Sequence, residues 1–206
     1  MELKFLRQTK VLMCGAAGNE LSGWDALENA AQLRRFSKAQ EIFGSGEWQP
    51  YIYVIRRGIV KLSYLDDTGE EWVKSFIGEG GFFACPSVII SGGKTDYFAV
   101  ALEDVELEQL HYPALQNLAE KNSDWSRAVR VLLESHILRK EQRERELLTM
   151  TPDLRYHSFL QSHRTIVKRI QIRDIAKYLG ITPEALSRIR TRMRNKKHQN
   201  SSELIS

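Results

Sequence analysis

Glu184, Ser187, Arg188 and Thr191 lie at i, i+3, i+4 and i+7 in a stretch that opens Ile181-Thr182-Pro183. On an α-helix this spacing puts all four on one face. A carboxylate there can accept from a cytosine amino group, and an arginine can donate two bonds to O6 and N7 of guanine. Glu184 and Arg188 together can therefore read one G·C pair, or two adjacent ones, from a single helical face. Thr182 followed by Pro183 predicts the start of that helix: a hydroxyl cap, then proline in the first helical position. Leu186, Ile189 and Met193 recur at the complementary spacing and predict its buried side. Arg188, Arg190, Arg192 and Arg194, followed by Lys196-Lys197, make the rest of the helix cationic, as contacts to phosphates require.

The residues before it must hold that helix in place. Ile172 to Leu179 predicts a short helix, with Ile175 and Leu179 one turn apart on its buried side. Ala176 is small where a second helix must cross closely, and Gly180 permits the tight turn between them. The pattern is a helix-turn-helix. An ordinary αα-hairpin has the same buried residues but needs no such basic outer face.

Charge is divided along the chain in the same sense. The 206 residues have a formal net charge of only +4. Residues 1–138 hold 14 Lys/Arg against 19 Asp/Glu, whereas residues 139–197 hold 16 against 6. An acidic first part and a strongly basic last part suggest a C-terminal module for nucleic acid or another anionic surface.

Other chemistries find little support. No phosphate-binding glycine loop, GxSxG elbow, HExxH pair or paired catalytic carboxylates occurs, so no enzyme is expected. The two cysteines, Cys14 and Cys85, are too few for a disulfide framework, and no metal or cofactor is expected; a reducing, cytoplasmic setting follows. The apolar run Val11–Ala17 is too short for a spanning helix, so no membrane partner is expected.

Up to about Tyr112 the chain reads as strands. Tyr51–Ile55 is aromatic and β-branched, and Gly58 ends it. Val60, Leu62 and Tyr64 fall on one face, with Lys61 and Ser63 on the other. Asp66-Asp67-Thr68-Gly69 predicts a hairpin turn back into Glu71–Ile77. Tyr97–Leu102 and Glu106–His111 read as a further strand pair. Helices follow: a short one from Pro113, then a long one capped by Ser123 or Asp124. Its stripe of Trp125, Val129, Leu132, Leu133 and Ile137 predicts a dimer seam. Arg139–Glu146 reads as a solvated face, and Thr151-Pro152-Asp153 as the next helix start.

Two stretches carry a family resemblance. One is Tyr51–Leu62, with Gly69, Gly81-Phe82-Phe83 and Ala101-Leu102-Glu103-Asp104 after it; the other runs from Arg169 to Ala176 and on through Leu186-Ser187-Arg188. Over roughly residues 20–195 the chain resembles the Crp/Fnr class of transcription regulators. The resemblance implies an α+β fold: an N-terminal antiparallel β-roll like a cupin jelly roll, a long dimerisation helix and a C-terminal winged helix-turn-helix. The corresponding divisions are 1–112, 113–149 and 150–206.

It also implies a homodimer acting on double-stranded DNA, with RNA polymerase and a small-molecule effector as further partners. Glu184, Ser187 and Arg188, supported by Thr182, Thr191 and Arg192, are then the DNA-binding residues. Ser187 matches the Fnr-like version and implies a palindrome with TTGA-like half-sites. In family members that bind cyclic AMP, a Gly-Glu and an Arg followed by Ser or Thr anchor the phosphate. Ala84-Cys85-Pro86-Ser87 and Thr95-Asp96-Tyr97 stand in those places here, so cyclic AMP is not the expected effector. Cys85, Thr95, Asp96 and Tyr97 remain the candidate effector pocket. The alternative function is a ligand-binding regulatory module acting on a protein partner without DNA.

Overall fold

A computed structural model describes residues 6–203, with side chains through Asn195. Two helices open it, α1 (Arg7–Ala17) and α2 (Trp24–Glu28). The strands are β1 (Ala31–Phe36), β2 (Glu41–Phe43), β3 (Tyr51–Arg57), β4 (Val60–Leu65), β5 (Glu71–Ile77), β6 (Phe82–Ala84), β7 (Phe98–Ala101) and β8 (Val105–His111). A short helix, α3 (Pro86–Ser91), lies between β6 and β7. All pairings are antiparallel, in two four-stranded sheets ordered β1-β8-β3-β6 and β2-β7-β4-β5.

Period-two alternation decides which side chains meet between the sheets. Tyr53 and Ile55 of β3 point inward with Phe43, Leu62, Phe83 and Leu107. Ile52 and Val54 point outward, against the helices. That outer layer consists of α1, α4 (Tyr112–Lys121) and the long α5 (Ser123–Thr149). Trp125 is fully buried there, edge-on to Trp24 at 4.7 Å, and donates its indole N–H to Ser22 O at 2.8 Å.

The β4–β5 hairpin forms as its turn residues predict. Asp66 accepts from the Thr68 hydroxyl and from the backbone N–H groups of Thr68 and Glu70, and also from the Trp72 indole. Those bonds, the Thr68 hydroxyl foremost, hold its carboxyl down to about 2. The expected pairing of Tyr97–Leu102 with Glu106–His111 does not form. β7 joins β2 and β4 in one sheet, while β8 joins β1 and β3 in the other. The chain changes sheets at Glu103-Asp104, where Gly58 at φ +94° lies so close that a Cβ would sit 2.6 Å from Asp104 O.

The first segment is not all strand. A carboxylate in the outer sheet fixes α1, whose place was not foreseen. Glu108 of β8 is fully buried and accepts from the backbone N–H of Gln8 at 3.0 Å and of Thr9 at 2.7 Å, as well as from the Thr9 hydroxyl. It thus satisfies N–H groups that the first turn of a helix leaves unpaired. Glu108→Ala is expected to cost about 2–3 kcal/mol, since it orphans several buried donors. Urea unfolding of the two proteins checks this.

Two details of the helical segment also differ. Asn122, rather than Ser123 or Asp124, caps α5, its side chain accepting from Asp124 N at 2.8 Å. Arg139–Glu146 is not uniformly solvated. Glu146 is 7% exposed and accepts from Gln142 and from the Ser158 hydroxyl.

The C-terminal unit comprises α6 (Pro152–Ser162), a 3-10 turn at Val167–Arg169, α7 (Ile172–Leu179) and α8 (Pro183–Glu203). Among the described residues no strand follows β8, and the expected wing hairpin is not among them. The residues after Arg194 explain this. Asn195-Lys196-Lys197-His198-Gln199-Asn200 contains no β-branched residue and no Phe, Tyr or Trp, and α8 simply continues.

Candidate nucleic-acid interface

The turn between α7 and α8 takes the form its sequence dictates. Gly180 has φ +66°, and its N–H and that of Ile181 close the end of α7 onto Lys177 O and Ala176 O. The Thr182 hydroxyl oxygen accepts from Ala185 N at 3.2 Å, which caps α8. Ala176, Leu179 and Leu186 are each fully buried, and Ile175 and Ile189 nearly so. They join Phe159 and Tyr156 of α6 in one core, against which Met193 is partly buried.

That core leaves the other face of α8 outside. Thr182, Glu184, Ser187, Arg188, Thr191 and Arg192 are all exposed. Arg188 Nε points to Glu184 O at 3.5 Å, and the Thr191 hydroxyl donates to Ser187 O at 3.1 Å. The Glu184 backbone N–H and the Thr182 hydroxyl, with help from Arg188, hold the Glu184 carboxyl below the usual carboxylate range. It is therefore an ionised acceptor at neutral pH.

Arg192 differs from the others: its guanidinium reaches both carboxylate oxygens of Asp153 at 2.9 Å. It ties α8 to the first turn of α6. Arg188, Arg190 and Arg194 make no ion pair among the described residues. Lys196 and Lys197 were also part of the expected basic run, but their side chains lie outside the described residues.

A set of contacts invisible in the sequence fastens the helix-turn-helix to the roll. Lys61 of β4, expected only on the face opposite Leu62, lies under α7. Its ammonium is 3.1 Å from Asp174 of α7 and 2.6 Å from Glu71 of β5. Burial pushes the Glu71 carboxyl up, but Lys61 and the Ser63 hydroxyl hold it lower overall. Lys177 meets Glu70 and Glu71 at 3.2 and 3.6 Å. Arg169 bridges Glu79 and Glu103, and its guanidinium draws the Glu79 carboxyl down to about 2.

Between these charges sits an aromatic group. Phe76 of β5 lies 6.0 Å from Phe159 and 5.7 Å from Tyr178, and His163 stacks on Phe159 at 4.4 Å. Burial holds His163 below the usual imidazole range. Arg143 of α5 completes the group, 3.8 Å over the Tyr178 ring and donating to Tyr178 O. Strand alternation identifies Lys61 only as opposite to Leu62; it cannot reveal that a second unit covers that side.

The roll interior accounts for the other candidates. Thr95 is buried, donating to Gly44 O at 2.7 Å and accepting from Glu47 N at 2.9 Å. Tyr97 is buried too, and its hydroxyl donates to Ala84 O at 2.7 Å; burial pushes the phenol up. Both are committed within the fold. Cys85 is 1% exposed, with its sulfur 2.9 Å from the Ser87 hydroxyl and 3.5 Å from the Asp96 carboxylate. Phe43, Tyr53, Phe83 and Tyr97 fill the space between the sheets, with Tyr53 stacked on Phe83 at 4.8 Å.

These residues do not fit a cyclic phosphate. The interior is packed with rings, an exposed carboxylate stands beside Cys85, and no arginine is anchored there.

The architecture and its sequence agree with known proteins. Residues 33–122 match the cyclic nucleotide-binding domain family. The anaerobic regulatory protein of Haemophilus influenzae is 27% identical over 177 residues, which is 80% of this chain and 68% of that protein. In these respects the chain is similar to regulators of the Crp/Fnr family. Another such regulator, the fumarate and nitrate reduction regulatory protein of Vibrio cholerae, is 26% identical over 80% of this chain and 70% of its own length. The solved structure of FixK2 from Bradyrhizobium japonicum superposes with a TM-score of 0.72, covering 81% of this chain and 86% of that one at 24% identity. This last likeness is one of fold. The chain spans about two thirds of the length of these two regulators.

Proposed function

We propose that this protein is a homodimeric, sequence-specific DNA-binding transcription regulator of the Crp/Fnr type. The observation that carries the proposal is the α8 face. Glu184, Ser187 and Arg188 are exposed together on a capped helix, while the opposite face of that helix is locked in a core. Glu184 and Arg188 read base edges, Arg190 and Arg194 meet phosphates, and Thr182 and Thr191 hold the ends of the reading face. Arg192, engaged with Asp153, positions the helix. The names of its regulator relatives support the same role. A module that acted on a protein partner alone would have no use for a face matched to G·C edges.

The second half of α5 supplies the dimer seam. Trp125, Val129 and Leu132 of the expected stripe pack against the roll instead, which leaves Leu133, Ile137 and Leu138, 41%, 61% and 64% exposed, to form it. Large apolar side chains left outside in a row mark an interface. Two-fold symmetry then sets half-sites about one helical turn, roughly 34 Å, apart. Ile137→Asp is expected to shift the protein from dimer to monomer in sedimentation velocity, and to weaken DNA binding at least tenfold through loss of the second half-site.

Cyclic AMP is not the effector of this roll. The sensor unit, residues 1–112, and the reader, residues 150–206, are joined through α5 and the Lys61–Asp174 contact.

Fluorescence anisotropy against duplexes with and without a TTGA-like palindrome tests the proposal. Binding should favour the palindrome over a scrambled duplex by at least a hundredfold at physiological salt, and should weaken steeply as salt is raised. Equal affinity for both duplexes would overturn it.

A further inference from the structure

The link between the long helix and the reader is short. Met150 and Thr151 separate α5 from α6, both with extended backbone. Side chains one turn apart on α5 brace that link. Glu146 accepts from the Ser158 hydroxyl of α6 at 2.6 Å. Arg143 reaches further, to α7. Its guanidinium lies 3.8 Å over the Tyr178 ring and donates to Tyr178 O. Its Nη1 is shut off from solvent, so the head is turned into this contact and not outward to a phosphate.

Tyr178 stands where such a contact has the most leverage. Just beyond it Gly180 turns the chain at φ +66°, and Thr182 then caps α8. Arg143 therefore holds the last turn of α7, from which the reading helix departs. On α5 it lies past Ile137 of the dimer seam by about 9 Å along the helix axis. A planar guanidinium stacks on a ring and donates from its edge at once, so it fixes an angle as well as a distance. Asp174 and Lys177 tie α7 to the roll. Arg143 ties it to the helix of the seam.

We propose that Arg143 is a positioning residue that sets the spacing between the two half-sites. The proposal rests on the dimeric DNA-binding reading above: the seam on α5 defines the two-fold, and Arg143 carries that reference to α7 and α8. It adds no contact to DNA. Spacing is counted in base-pair steps of about 3.4 Å. A reader released to pivot about Met150-Thr151 would accept neighbouring spacings as well.

The experiment is fluorescence anisotropy on TTGA-like palindromes whose spacer is shortened or lengthened by one base pair, then by two. The unaltered protein should prefer one spacer over its neighbours by at least about tenfold, because both readers must engage at once. Arg143→Leu keeps the apolar stem without the guanidinium and should bring that preference within about threefold. Its dimer in sedimentation velocity, and its discrimination against a changed G·C pair inside one half-site, should stay as they were. Arg143→Lys keeps the charge and should lose part of the preference; it carries the test if Arg143→Leu does not fold. A variant that weakens every spacer by the same factor has lost only structure, and overturns the proposal. So does a variant with the original spacer preference, or an unaltered protein that binds the palindrome without one. An unaltered protein that does not distinguish palindrome from scrambled duplex overturns the DNA-binding reading itself, and this proposal with it.

Discussion

Arg188→Ala is expected to erase discrimination at one base pair of each half-site while leaving the fold intact. The guanidinium is exposed, its one hydrogen bond among the described residues is the long one to Glu184 O, and the helix that carries it is capped and cored by other residues. A bidentate arginine–guanine contact contributes about 1–3 kcal/mol of discrimination against the wrong base. The dimer loses that amount at each half-site. Arg190→Ala or Arg194→Ala should behave differently, weakening all sequences alike and reducing the salt slope by about one. Binding curves on a panel of duplexes with each half-site position varied in turn separate the two outcomes. If Arg188→Ala weakens every duplex by the same factor, Arg188 meets phosphate and not a base.

Lys61→Ala should produce the largest loss of stability. The ammonium is the shared partner of Asp174, which is 3% exposed, and of Glu71. Removing it leaves two carboxylates facing each other in a site with little water. Breaking a buried pair from one side costs about 3–5 kcal/mol, because the remaining charge has no compensation. Lys177→Ala removes a more exposed partner of the same group and should cost less than about 1 kcal/mol. Because Lys61 lies on the roll and Asp174 on α7, the loss should also uncouple the two units, so that one unfolding transition in urea separates into two. A change below about 1 kcal/mol for Lys61→Ala would mean that the contact contributes nothing to holding the helix-turn-helix in place.

The reader was more legible in the sequence than its attachment. Thr182-Pro183, Gly180 and the Leu186/Ile189/Met193 spacing act locally, through capping, turn geometry and helical period. Residues within two turns of one another therefore determine them. The β4–β5 hairpin is equally local, fixed by Asp66 and Gly69. What the sequence hid is non-local. The sheet change at Glu103-Asp104 depends on which distant strands β7 and β8 join. The docking of α1 depends on Glu108, about 100 residues away. Lys61 alternates correctly with Leu62, but period two says only that it points the other way, not what covers it. The candidate pocket shows the same limit. Cys85 and Tyr97 point into the packed interior between the sheets, so the residues expected to line a pocket fill the core instead.

Selection of duplexes from a random pool by the purified protein tests the central claim most directly. The account predicts enrichment of a two-fold symmetric sequence, with a G·C pair in each half-site and half-sites about one helical turn apart. That G·C pair should disappear from the enriched motif when Arg188→Ala is used. A pool that remains unenriched at physiological salt, or an enriched motif without two-fold symmetry, would contradict it.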